Sequence, residues 1–213
     1  MAKKESLKSQ AYTFIRDKII RCEYAPGTML NEEMLQAEIG VSRTPIRDAL
    51  SRLEQEGLVQ ILPKKGVIVS SLSISEINMI FEVRLLLEPY AIEHYGNTHK
   101  SSFFEHYFNI FSTLSPETDN DAYYGLDDCF HGEIMRAVPN RYIQNTYQTI
   151  ATQNYRFRVM TGKQTQSRLN DSTQEHLAIL RACMMQDWSL AAEAMRAHIQ
   201  QSKSSTFELL LQL

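Results

Sequence analysis

The chain is poor in helix breakers, with eight glycines and six prolines in 213 residues, and a mostly helical protein is expected. It has no apolar run of about 18 residues, so a membrane-spanning helix is not expected. Its three cysteines, Cys22, Cys129 and Cys183, are scattered and odd in number. They show no zinc-ribbon spacing and fit a reducing compartment. The start, MAKKESLKSQ, lacks the apolar core of a signal peptide, and a cytoplasmic location is expected. Hydrophobic residues make up 43% and charged residues 22%, ordinary for a soluble globular chain of one large or two small domains.

Charge is not spread evenly. Residues 1–71 hold 11 Lys/Arg against 9 Asp/Glu, whereas residues 72–213 hold 11 against 16. The two parts are therefore expected to meet different partners.

The first part reads as short helices followed by a hairpin. Leu7 to Cys22 has apolar residues at three- and four-residue spacing, and Ala25-Pro26-Gly27 breaks it. Asn31 is a good N-cap, Glu32 and Glu33 suit a first turn, and Gly40 suits a helix end. In the next helix Thr44 can cap and Pro45 can take the first position. Ile46, Ala49, Leu50 and Leu53 then form one buried stripe, and Gly57 ends the helix. VQILPKKGVIVSS follows as two β-rich runs joined by Pro63-Lys64-Lys65-Gly66. Helix, helix, tight turn, helix, hairpin is the order of a winged helix-turn-helix. From Ser73 onward helices are expected at 74–95, 101–114, 119–137, 141–161, 168–185 and 188–211. Pro89 should kink the first of them, and breaks fall at SPETDND, at Pro139-Asn140 and around Gly162. The fold class is thus mainly α: a winged helix-turn-helix over 1–72 and an all-helical bundle over 73–213.

In a helix-turn-helix the second helix enters the major groove by its N-terminal end. That end here carries Ser42, Arg43, Thr44 and Arg47. With the apolar stripe turned to the core, Arg47 and Ser51 point outward. An arginine so placed can reach guanine O6 and N7 with two hydrogen bonds. Ser42 and Thr44, beside the free N–H groups of a helix start, suit a backbone phosphate. Lys64 and Lys65 at the hairpin tip suit the minor groove or its phosphates. A solvated helix with surface arginines is the alternative, but the order of elements and the basic tip favour DNA.

The run from "IRDKIIRCEYAPGTML" through "IGVSRTPIRDALSRLEQEGLV" to "KKGVIV" resembles the DNA-binding domain of GntR-family transcriptional regulators. The resemblance implies that Arg43 and Arg47 read bases and that Thr44 and the Gly66 turn contact DNA. Some members carry a basic residue on the second helix where Glu33 stands here.

All six histidines, at 94, 99, 106, 131, 176 and 198, lie beyond this part. Asp127 and His131 are four apart in a helical stretch and share a face. With His176 and His198 on two later helices, they could form a divalent-metal set; a surface Asp–His pair and structural histidines are the alternative. EVRLLLEPYAIE, DDCFHGEI and QEHLAILRACMMQDWSLAAEAMRAHI are similar to the helical ligand-binding (FCD) domain of the FadR-type branch, in its six-helix, VanR-like form. The resemblance implies that Asp127, His131, His176 and His198 hold the metal; three imidazoles and a carboxylate suit several divalent ions, with zinc expected first and nickel or manganese as alternatives. It leaves His94, His99 and His106 as surface residues. Arg84, in an R-x-x-x-E pattern, either faces an anionic effector or pairs with Glu88; Arg156 and Arg158 are further effector candidates. The aromatic run Phe103, Phe104, Tyr107, Phe108, Phe111 is expected in the core or a dimer interface.

The expected function is a homodimeric transcription factor and not an enzyme. It would bind a short pseudo-palindromic operator and respond to a small organic or amino acid bound at the metal. A zinc hydrolase with Glu175 as base, and a regulator with a purely structural metal, are the alternatives.

Overall fold

The computed structural model describes residues 6–71, 73–115, 118–161 and 164–211. The break expected around Gly162, residues 116–117 of SPETDND, the first five residues and Leu72 lie outside the described residues. The chain separates into two compact units, Met1–Ile74 with Tyr155–Met160, and Ser75–Asn154 with Thr161–Leu213.

In the first unit the elements run α1 (Leu7–Ile20), β1 (Met29–Leu30), α2 (Glu32–Ile39), α3 (Arg43–Gln55), β2 (Val59–Leu62) and β3 (Gly66–Val69). Helix α2 starts and stops as the sequence predicts: the Asn31 side chain accepts from the Met34 N–H at 2.7 Å, and Gly40 closes it at φ 75°. Helix α3 begins earlier than expected. Ser42, not Thr44, is the N-cap, and Pro45 is the third helical residue. The first turn of a helix needs no intrahelical partner for its N–H groups, so proline is tolerated there. Ile46, Ala49, Leu50 and Leu53 are buried as the periodicity requires, in one core with Ala11, Ile15 and Ile19 of α1.

The sheet has the order β1-β3-β2, all antiparallel. Strand β1, two residues long, gave no sequence signal of its own. It pairs Met29 with Ile68 and Leu30 with Val67. The hairpin turn is closed by the Lys65 N–H donating to the Leu62 carbonyl at 3.0 Å. Lys64 sits at φ 62° and Gly66 at φ 113°, so the turn presents Lys64 and Lys65 to solvent.

Six α-helices follow among the described residues: α4 (Ile74–Tyr95), α5 (Ser101–Ser112), α6 (Asn120–Arg136), α7 (Arg141–Thr161), α8 (Gln166–Met184) and α9 (Trp188–Leu210). Their ends lie within two residues of those expected. Pro89 lies inside α4 and does not end it. Side chains of Asp119, Thr165 and Asp187 cap α6, α8 and α9. Among the described residues no helix is long and apolar enough to cross a membrane. Helix α8 packs on both α5 and α9. This brings Phe111 of α5 flat against His176 of α8, ring centres 4.4 Å apart at 7°.

Two glycines give opposite stability expectations. A Cβ at Gly96 would lie 2.6 Å from two ring atoms of Trp188, whereas one at Gly125 on the exposed face of α6 meets nothing within 4 Å. Gly96→Ala is expected to cost about 1–3 kcal/mol through overpacking. Gly125→Ala is expected to gain roughly 0.5–1 kcal/mol from helix propensity. Thermal unfolding of the two variants checks both signs.

Candidate metal centre and nucleic-acid interface

Asp127 and His131 project from one face of α6, His176 from α8 and His198 from α9. All four are buried, and their donor atoms lie within 4.8 Å of one another. Each imidazole is held from behind at Nδ1. His131 Nδ1 meets Glu88 Oε2 at 2.6 Å, His176 Nδ1 meets the Ser172 carbonyl at 2.8 Å, and His198 Nδ1 meets Glu175 Oε2 at 2.7 Å. Ionised carboxylates and carbonyls only accept hydrogen bonds. These partners therefore place a proton on each Nδ1, so that in a neutral ring the lone pair lies on Nε2.

Those lone pairs converge. His131 Nε2 and His176 Nε2 are 3.2 Å apart, and Asp127 Oδ1 is 3.1 Å from His176 Nε2 and 3.7 Å from His131 Nε2. Two lone pairs and a carboxylate oxygen at such distances repel one another unless positive charge sits among them. Three imidazoles and one carboxylate suit a borderline divalent ion such as zinc, so the residues present fit the cation that the sequence implies.

The supporting groups are themselves anchored. Arg84 donates from Nε to Glu88 Oε1 at 2.6 Å and from Nη2 to Oε2 at 3.3 Å. Burial raises the Glu88 pKa, but the Arg84 guanidinium and His131 outweigh it and hold the carboxyl down at about 2. Glu175 receives two bonds from Arg168, at 2.9 and 3.0 Å. Burial pushes its pKa up, and the His198 and Arg168 hydrogen bonds pull it further down, below the usual value. Burial lowers the pKa of His176. Burial, helped by His176 and His131, pushes His198 down to about 3. Both rings are thus neutral and able to coordinate at neutral pH.

Glu88, Glu175, Arg168 and the Ser172 carbonyl are the functional groups that sequence reasoning missed in this role. The Arg84–Glu88 spacing of four showed half of one clamp. Glu175 stood out only as a neighbour of His176 and a candidate base; its ionised carboxylate, held by two hydrogen bonds from Arg168, points to His198 instead. The structure brings Arg84 to the cluster through Glu88. It groups Arg156 and Arg158 with the first unit, where Arg156 Nη2 donates to the Ser70 carbonyl at 3.0 Å. His94 and His106 are exposed as expected. His99 is half-buried instead, stacked on Phe103 with ring centres 4.2 Å apart.

In the first unit, Ser42, Arg43, Thr44 and Arg47 are exposed together around the start of α3. Ser42 makes no side-chain capping bond. Arg43 reaches Gln36 Oε1 from Nε at 3.3 Å and Glu33 Oε1 from Nη2 at 3.4 Å. Arg47 donates from Nε to Glu32 Oε1 at 2.7 Å.

Residues 7–69 match the family described as bacterial regulatory proteins, gntR family, and residues 79–201 match the FCD domain. The chain is a GntR-family regulatory protein of the FadR-type, FCD-containing branch. Such GntR proteins are regulators, not enzymes, which removes the hydrolase alternative. A regulator of Agrobacterium vitis is 44% identical over 83 residues, 39% of this chain and 48% of that protein. The Escherichia coli K12 transcriptional repressor RspR is 25% identical over 208 residues, 96% of this chain and 91% of that one. The chain thus spans about half the length of the first curated relatives it matches but nearly all of RspR. A solved GntR regulator from Rhodococcus sp. RHA1 shares the fold, with a TM-score of 0.76 at 16% identity over 96% of this chain and 99% of that chain.

The buried neutral histidines of this GntR protein give it an acid-sensitive signature. An unfolded His198 takes up a proton near pH 6.5, the folded one only near 3. Below 6.5 the unfolded state therefore binds more protons, and the metal-free protein loses stability as pH falls toward 3, by up to about 1.4 kcal/mol per pH unit for this group. Chemical denaturation of chelator-treated protein between pH 7 and 4 should show a shallower acid slope for His198→Asn than for wild type. An unchanged slope would refute the assignment of a neutral, buried His198.

Proposed function

We propose that this GntR protein is a transcription factor that binds a short pseudo-palindromic operator as a homodimer. A small carboxylate effector, held with a divalent cation in the helical domain, controls it. In this reading residues 1–72 bind DNA and residues 73–213 bind effector and dimerise. The observation that carries the effector side is the convergence of three Nδ1-clamped imidazoles and Asp127. Zinc at Asp127, His131, His176 and His198 would supply a fixed positive charge that attracts an organic or amino acid. The clamps Glu88, Ser172 and Glu175 keep the rings oriented, and Phe111 covers His176 from one side.

On the DNA side, the exposed start of α3 offers Arg43 and Arg47 to base edges in the major groove and Ser42 and Thr44 to phosphate. Lys64, Lys65 and the Gly66 turn serve the wing's contact with DNA. A two-fold dimer matches a two-fold operator. The outward face of α4 supports it, with Met79 52%, Leu86 66% and Tyr90 36% exposed at helical spacing.

The test is an operator titration with zinc-loaded protein against a panel of organic, sugar and amino acids. At least one acid should shift operator affinity by roughly 5–150-fold, the usual size of such coupling. His176→Ala should keep DNA binding and lose that response. An undiminished response in a demonstrably metal-free His176→Ala protein would contradict the proposal.

A further inference from the structure

The two arginines at the start of α3 are not equally held. Arg43 makes long bonds, and its partner Glu33 has a side chain 83% exposed. Arg47 is different. Its Nε lies 2.7 Å from Glu32 Oε1, and the Glu32 side chain is 29% exposed against 65% for Arg47. The carboxylate is the more sheltered member and the guanidinium the projecting one. Glu32 is the first residue of α2, and the Asn31 cap sets the backbone from which its side chain projects.

An ion pair at this exposure contributes little stability. A carboxylate on a face meant for DNA also repels phosphate. Its position makes sense through geometry. A guanidinium carries five N–H groups in a planar fork. Occupying Nε leaves the two Nη groups to project as a pair, the arrangement that meets guanine O6 and N7 together.

We infer that Glu32 is a positioning residue for base readout: it holds Arg47 by Nε so that the Nη edge of the guanidinium faces the major groove before DNA arrives. The inference rests on the proposed reading of bases by Arg47. Pre-ordering the side chain lowers the cost of immobilising it on binding and raises discrimination at one base pair in each half-site. Glu33, loosely placed, has no such role.

The test uses full-length protein and duplexes from a randomised library, with the site enriched by wild type as the probe. Base preference at each position is then measured for Arg47→Ala, Glu32→Ala, Glu32→Gln and the double variant. Arg47→Ala should flatten a guanine preference at one position per half-site by roughly 5–150-fold, the range of a lost bidentate contact. Glu32→Ala should weaken preference at that same position at least threefold, roughly a 0.6 kcal/mol effect, and leave other positions unchanged. Glu32→Gln, which keeps an acceptor for Nε, should retain most of the preference. In the Arg47→Ala background Glu32→Ala should add nothing at that position, since the pair acts as a unit. Wild-type base preference in Glu32→Ala, with tighter binding to every duplex, would overturn the inference and leave Glu32 as a repulsive charge only. A base profile unchanged by Arg47→Ala would instead remove the reading role of Arg47 itself.

Discussion

A buried imidazole directs a lone pair only from the nitrogen that carries no proton, so the chemistry of the histidine cluster is decided on the far side of each ring. Glu88, the Ser172 carbonyl and Glu175 occupy the three Nδ1 positions, and the Nε2 atoms turn inward as a consequence. The clamps reach back into the scaffold. Glu88 is tied to Arg84 within α4, and Glu175 to Arg168 within α8. Helices α4, α6, α8 and α9 are thereby committed to a single arrangement around Asp127. Burial serves the same end, because a ring pushed toward neutrality offers a lone pair where a protonated one offers none.

The first unit solves a different problem with opposite means. Arg43 and Arg47 at the start of α3 stay in water, and their partners are carboxylates near the surface. Glu32 and Glu33 both lie in the first turn of α2, favourable for acidic residues at a helix N-terminus. That local preference supplies the anions which the start of α3 then meets.

Local patterning made most of this fold legible. The stripe from Ile46 to Leu53, the Asn31 cap, the Gly40 end and the hairpin around Lys64 and Lys65 are encoded within a few residues. Helix α4 and helix α7 match their expected bounds. What escaped was non-local or short. Two residues of β1 carry too little pattern to announce a strand, and they gain their partners only from β3. The start of α3 was displaced because proline fits anywhere in a first turn, so Pro45 could not fix the register. Asp127, His131, His176 and His198 were candidates by spacing and resemblance, but the groups behind them were not. Glu88 lies 43 residues from His131 and Glu175 lies 23 from His198. Adjacency in sequence linked Glu175 to His176, yet neighbouring residues on a helix point about 100° apart, and the carboxylate serves another ring.

The central claim is that these four side chains form one cation site held in shape by their hydrogen-bond partners. Its most direct test is calorimetric titration of chelator-treated, full-length protein with Zn²⁺. The account predicts about one tightly bound ion per chain, because the four donor atoms converge on a single place. It also predicts a large loss of affinity in His176→Ala and none in His94→Ala. Equal Zn²⁺ affinity in wild type and His176→Ala, or no Zn²⁺ uptake by the folded wild-type protein, would contradict it.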